Sequence, residues 1–160
     1  MIKAVLFDWG NTLMVDYHDQ IGAMYTWGKI ETTKNAKECL GAVSMRFHCF
    51  LATNSNDSNK DEIYKALNIA GIGKYITDVF CSKEIGFLKP SKEFFNTILN
   101  RLNLNPEEIV FIGDDIKKDI YGASSVGIIP IHYDPYFISD YEGLKINNLI
   151  NLISILETLS

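Results

Sequence analysis

Arginine is almost missing from this chain. Of 15 basic residues only Arg46 and Arg101 carry a guanidinium, so forked clamps for carboxylate or phosphate are scarce. An excess of positive charge is missing too. Twenty acidic residues against 15 basic ones give a formal net charge of −5, and a polyphosphate partner normally meets a basic face, which argues against nucleic acid as a ligand. Cysteine is sparse and odd in number: Cys39, Cys49 and Cys81 form no Cys-x-x-Cys pair. Buried free thiols are expected, not a disulfide framework or a zinc site. No apolar run reaches the length that crosses a bilayer, because Arg46 and His48 interrupt the best candidate. No signal-peptide pattern precedes the first apolar run. The expectation is a cytoplasmic protein that engages no membrane. Internal repeats and linker-like stretches are also lacking, which leaves a single domain over 1–160.

What is present is a folded composition. At 160 residues, 47% hydrophobic and 22% charged, the chain is large enough to bury about two-thirds of its unfolded surface. Apolar runs alternate with amphipathic segments, the pattern of βα units around a parallel sheet. Strands are expected over 3–8, 47–53, 78–81, 109–112 and 128–132. Helices are expected over 36–43, from an N-cap at Ser58 to Gly71 or Gly73, from Ser91 to Asn103, and over 117–125. The tail 144–159 spaces Leu149, Ile150, Ile153 and Leu156 as one amphipathic helix that packs on the sheet. Residues 14–35 read as an irregular flap holding Tyr17, His18, Tyr25 and Trp27.

Four polar stretches each follow their own strand. Asp8-Trp9-Gly10-Asn11-Thr12-Leu13 ends the first strand with a carboxylate, which is where open α/β sheets place their sites. Thr53-Asn54-Ser55 ends the second, Lys89-Pro90 lies in the loop after the third, and Gly113-Asp114-Asp115 ends the fourth, with Asp119 four residues further on. In that order the stretches resemble the motifs of the haloacid dehalogenase (HAD) superfamily of phosphohydrolases, over roughly residues 1 to 135. A bacterial receiver domain also uses Asp, Thr, Lys and an acidic pair. There the pair comes early and the phosphoacceptor later, the reverse of the order here.

The resemblance implies a three-layer, Rossmann-like parallel sheet of order 5-4-1-2-3, with the acids of strands one and four facing each other at the switch point. It implies Asp8 as a nucleophile that forms an aspartyl-phosphate, with Lys89 neutralising phosphate and acids. Thr53, the amide of Asn54 and Lys89 would hold phosphate oxygens. Mg²⁺ would be held by Asp8, Asp114 and the carbonyl of Gly10. Asp115 and Asp119 would stand behind these ligands, with Asp119 touching Lys89 or a metal-bound water. Facing carboxylates repel, which itself calls for a cation.

Two departures from the family pattern matter. Gly10 stands where family phosphatases carry a second Asp that protonates the leaving group and activates water, help worth ~10²–10⁴-fold. Slow turnover is the consequence unless another acid substitutes, and Asp16, His18 and Asp19 of the flap are the candidates. The segment between the first two stretches is also too short for a large cap domain. That leaves an open cleft, suited to a large or protein-borne phosphate or closed by a second copy of the chain. The flap aromatics either contribute specificity or pack on the core. Beside a Mg²⁺-dependent phosphohydrolase stands a second reading, a phosphate- and metal-binding scaffold that keeps the fold without turnover.

Overall fold

A computed structural model describes residues 1–160. Its centre is a six-stranded parallel sheet of β1 (Ala4–Phe7), β2 (His48–Thr53), β3 (Asp78–Cys81), β4 (Ile109–Gly113), β5 (Ile129–Tyr133) and β6 (Lys145–Ile146), in the order β3-β2-β1-β4-β5-β6. The expected order is therefore present, and β6 extends it by one short edge strand beyond β5. The helices are α1 (Ala36–Val43), α2 (Lys60–Ile69), α3 (Ser82–Ile85), α4 (Lys92–Leu102), α5 (Gly122–Ser124) and α6 (Leu152–Leu159). None is long and apolar enough to cross a membrane.

The strands read as apolar runs because both faces of the sheet are covered. Side chains alternate across it, so Val5 and Phe7 join one core cluster while Ala4 and Leu6 join the other. The larger cluster takes Cys39 and Leu40 of α1, Ile63 and Leu67 of α2, and Leu152 and Leu156 of α6. The smaller one takes Phe94, Phe95 and Ile98 of α4, with the Phe95 and Phe111 rings edge-to-face at 5.6 Å. All three cysteines are free and buried, and burial pushes the thiols of Cys39 and Cys49 up to about 12. Such thiols are inert.

Three boundaries differ from the sequence reading, each for a local reason. The N-cap of α2 is Asn59, not Ser58, because Asn59 and Glu62 close a reciprocal capping box (2.9 and 3.1 Å). The tail does not form one helix over 144–159. Lys145–Ile146 pairs with β5, Asn148 caps a single 3₁₀ turn over Leu149–Asn151, and only Leu152–Leu159 is α-helical. The apolar period survives that break, since Leu149, Leu152 and Leu156 are all buried. The helix expected over 117–125 begins as a π-helical turn, Ile116–Tyr121, that runs into α5.

Register sets the level of the acids. Phe7 pairs with Leu51 on one side and Ile112 on the other, so Asp8 emerges level with Ala52 and Gly113. Thr53 and Asp114 lie one residue further along their own strands. The flap is tied down at its base, where Met14 bridges Thr32, Val15 N–H donates to Glu31 O (2.8 Å) and Thr33 N–H to Leu13 O (2.9 Å).

Candidate active site

Asp8 is fixed by its own backbone: its N–H donates to Ile112 O at 2.9 Å, which locks it to β4. The chain then folds back on itself. Leu13 and Met14 N–H groups both donate to Trp9 O at 3.0 Å, and Asn11 adopts a left-handed conformation (φ 59°) that asparagine tolerates well. This turn brings Thr12 Oγ1 to 3.0 Å from Asp8 Oδ2 and 3.3 Å from Asp114 Oδ1.

Lys89 reaches the same point from the loop before α4. Its ammonium donates to Asp8 Oδ1 at 2.8 Å, Asp119 Oδ1 at 2.7 Å and Ala52 O at 3.0 Å, which uses all three protons. The residue is only 4% exposed and Asp119 only 1%, so their ion pair is shut off from solvent, while Asp8 faces the cleft. Nζ also lies 5.3 Å from the centroid of the Phe111 ring. Burial favours the neutral amine, but the charges of Asp8 and Asp119 outweigh it and raise the pKa of Lys89. The π-helical turn explains how Asp119 gets there. Both Asp119 and Ile120 N–H groups reach back to Asp115 O (2.9 and 3.3 Å), and the widened turn aims the Asp119 carboxylate inward. Its second oxygen accepts from Asp115 N–H at 3.1 Å. The Asp115 side chain points elsewhere, capping the turn through Lys118 N–H at 2.8 Å.

The carboxylates titrate apart. Burial pushes Asp8 up, but the Lys89 ammonium and hydrogen bonds outweigh it and hold Asp8 below its ordinary range. Asp114 is raised to about 8, by burial first and by the charge of Asp8 second. Asp119 is raised to about 7 by the same two causes, against the pull of Lys89.

The donor set fits a hard divalent cation. Asp8, Asp114 and Asp119 offer oxygens within 4.8 Å of one another, and the cluster sets one ammonium against three carboxylates. The single hydroxyl hydrogen of Thr12 faces two carboxylate acceptors, so one of them lacks a donor. With Asp119 occupied by Lys89 and Asp115, the free coordination lies at Asp8 and Asp114. All-oxygen donors with a shortage of positive charge suit Mg²⁺ and not a thiophilic metal.

The structure thus brings Asp8, Lys89, Asp114 and Asp119 into contact, with Gly10, Thr53, Asn54 and Asp115 around them on a cleft of about 480 Å³. Two contributions were not assigned from sequence. Thr12 was visible as the hydroxyl four residues after Asp8, but its bridge to Asp114 depends on the turn. The Asn54 side chain turns to the backbone of Lys89. Of the histidines, only His18 lines the cleft, His48 is exposed, and His132 is buried with Nδ1 3.4 Å from Gly113 O.

An open parallel sheet with acids and a buried lysine at the carboxyl ends of its central strands defines a Rossmann-like α/β protein with a switch-point site. The family model of the haloacid dehalogenase-like hydrolases matches residues 19–127, and the chain belongs to that family. Asp8 precedes the matched stretch; Thr53, Lys89, Asp114 and Asp119 lie within it. Over 133 residues the chain is 28% identical to YfnB of Bacillus subtilis (strain 168), whose name places it among HAD hydrolases; the match spans 78% of this chain and 55% of that protein. It is 36% identical over 94 residues to a glyceraldehyde 3-phosphate phosphatase of Methanocaldococcus jannaschii, spanning 56% of this chain and 41% of that one. The chain therefore spans about half the length of these two relatives. A crystal structure of an uncharacterized protein from Listeria monocytogenes serotype 4b superposes with a TM-score of 0.88 at 26% identity, covering 99% of this chain and 98% of that one.

Proposed function

We propose that the chain is a Mg²⁺-dependent phosphohydrolase of the cytoplasm that works through an aspartyl-phosphate on Asp8. The observation that carries this reading is the buried Lys89 ammonium, held between Asp8 and Asp119 at the floor of the cleft. A carboxylate that attacks a phosphate dianion meets like charge, so catalysis depends on fixed positive charge and oriented donors. Bound at Asp8, Asp114 and the Gly10 carbonyl, Mg²⁺ would supply Lewis-acid charge to phosphate oxygens. Asp8, kept ionised by Lys89, attacks phosphorus through a carboxylate oxygen. Lys89 keeps that carboxylate oriented and offsets the charge that builds on the phosphoryl group. The Thr53 hydroxyl and the Asn54 backbone N–H hold phosphate oxygens at the end of β2. Asp119 positions Lys89, and Asp115 positions Asp119. Water then cleaves the aspartyl-phosphate and frees Asp8.

Phosphatase names among the relatives, glyceraldehyde 3-phosphate phosphatase included, support a phosphate monoester as substrate. The cleft is bordered by the flap and not by a cap, which favours a large or protein-borne phosphate, or closure by a second copy of the chain. The test is phosphate release from a broad panel with Mg²⁺ and with EDTA, beside the Asp8→Asn variant. Release that needs Mg²⁺ and Asp8 is expected; release that survives Asp8→Asn overturns the reading. Gly10 favours the second reading, a scaffold that binds without turnover, because that position offers no proton. Tight binding of Mg²⁺ and a phosphate analogue with no turnover on the panel selects it.

A further inference from the structure

The space beside Gly10 is bordered by an acid. A Cβ built on Gly10 would lie 3.4 Å from Asp16 Cβ and 3.5 Å from Asp16 Oδ2. A carboxylate from the flap therefore lies in van der Waals contact with the place where a side chain at position 10 would begin, two residues along the chain from Asp8. We infer that Asp16 is the general acid–base residue of this site; the inference rests on the hydrolase reading and adds to it a residue and a role.

The backbone of Asp16 is tethered on two sides. Its backbone N–H donates to Asn11 Oδ1 at 3.1 Å, and it directly follows Val15, which pairs with Glu31 at the base of the flap. Its carboxylate, half-buried, has no hydrogen-bonding or ionic partner in the protein. The other carboxylates on the cleft have assigned places: Asp8 and Asp119 pair with Lys89, Asp114 faces Asp8 across the Thr12 hydroxyl at the proposed cation site, and Asp115 accepts from Lys118 N–H. Asp57 is uncommitted but exposed, on the loop after β2 that carries the phosphate-binding positions. Of the other flap candidates, His18 lines the cleft but is exposed and does not occupy the space at Gly10, and Asp19 does not line the cleft. Asp16 also lines a second cavity of about 1080 Å³, which shares Asn11, His18 and Asp114 with the first.

The chemistry balances. In the first step the Asp8 oxygen bonds to phosphorus as the bond from phosphorus to the ester oxygen breaks. The electron pair stays on that oxygen and the Asp16 carboxyl gives it a proton, so the group departs as an alcohol. In the second step the Asp16 carboxylate takes a proton from water as the water oxygen bonds to phosphorus. The bond from phosphorus to Asp8 breaks, and inorganic phosphate leaves.

The test compares an alkyl phosphate, whose leaving group needs the proton, with p-nitrophenyl phosphate, whose leaving group does not. In Asp16→Asn, steady-state turnover of the alkyl ester is expected to fall ~10²-fold or more. Rapid mixing with the aryl ester should still give a burst of nitrophenol near one equivalent, followed by slowed turnover. The burst reports that the site is folded and that Asp8 reacts. Adding Gly10→Asp to Asp16→Asn should restore alkyl turnover, because a Cβ at position 10 fits beside the residue 16 side chain and carries a carboxylate into the same part of the cleft. Alkyl turnover within twofold of wild type in Asp16→Asn overturns the role of Asp16 while leaving the hydrolase reading intact. Loss of the burst without rescue by Gly10→Asp overturns it as well, since a purely structural role gives that result. Wild-type protein that turns over neither ester removes the hydrolase reading itself, and with it the role of Asp16.

Discussion

The carboxamide of Asn54 brackets the backbone of Lys89: Nδ2 donates to the Lys89 carbonyl at 2.9 Å and Oδ1 accepts from the Lys89 N–H at 2.7 Å. This two-point clamp ties the loop after β2 to the loop that carries the lysine, and the Lys89 ammonium then has little freedom left. Asn54→Ala removes both bonds. At about 0.5–1.5 kcal/mol each, the expected loss of stability is about 1–3 kcal/mol in denaturant unfolding. Turnover should fall through kcat more than through KM, because on the proposed mechanism the variant moves a charge that acts on the transition state. A variant whose kcat is unchanged would show that the clamp does not position the ammonium.

Removing the ammonium is expected to be costly for folding as well as for catalysis. Lys89→Met leaves the buried carboxylates of Asp8 and Asp119 without their counter-charge. Breaking one side of a buried ion pair costs about 3–5 kcal/mol. Urea unfolding at pH 8 in EDTA should show a loss of that order. Adding Asp119→Asn should recover part of it, since one uncompensated charge is then gone. Equal stability of the single and double variants would mean that Asp119 is not charged against Lys89.

Gly113 is required by close approach. A Cβ there would meet Asp119 Oδ2 at 2.2 Å and Asp119 Cβ at 2.6 Å, distances that force the acid or the β4 backbone to move. Gly113→Ala should cost about 1–3 kcal/mol, the usual range for overpacking. Its larger effect should be on turnover, because Asp119 holds Lys89. If Gly113→Ala keeps wild-type stability and rate, Asp119 has more room than its contacts imply.

The parts of this site that could be read in the sequence are those that depend on strand ends. Asp8, Thr53 and Asp114 each follow an apolar run, and runs buried on both faces are easily delimited. Lys89 could be read from its place beside Pro90 in the chain order of the four stretches. What could not be read depends on pairing or on turn geometry. The contact of Asp119 with Lys89 was expected and is present, but the π-helical turn that delivers it is announced by nothing in Ile116–Tyr121. The approach of Asp16 to Gly10 needs the Met14–Thr32 bridge, between residues far apart in a segment without periodicity. In the tail, Ile146, Leu149, Leu152 and Leu156 keep three- and four-residue spacing across Asn147-Asn148, so the pattern identified buried residues but not where the helix starts.

The raised carboxylates predict how metal and pH act together. Asp114, at about 8, and Asp119, at about 7, lie well above the ~3.9 of an unfolded Asp. Their contribution to stability without metal is therefore full below about pH 4 and is lost as pH rises through 7 and 8, where the folded protein is made to hold facing charges. Asp8, held low, is ionised throughout that window and does not change the sign. A divalent cation binds the ionised carboxylates and displaces their protons, so its benefit should grow with pH. In EDTA the unfolding temperature should fall from pH 5.5 to pH 8.5. Saturating Mg²⁺ at 100 times its dissociation constant should return about 2.7 kcal/mol, and the same Mg²⁺ concentration should return much less at pH 5.5. Asp114→Asn should flatten both curves. A Mg²⁺ shift of the same size at both pH values would mean that the ion does not sit on these carboxylates.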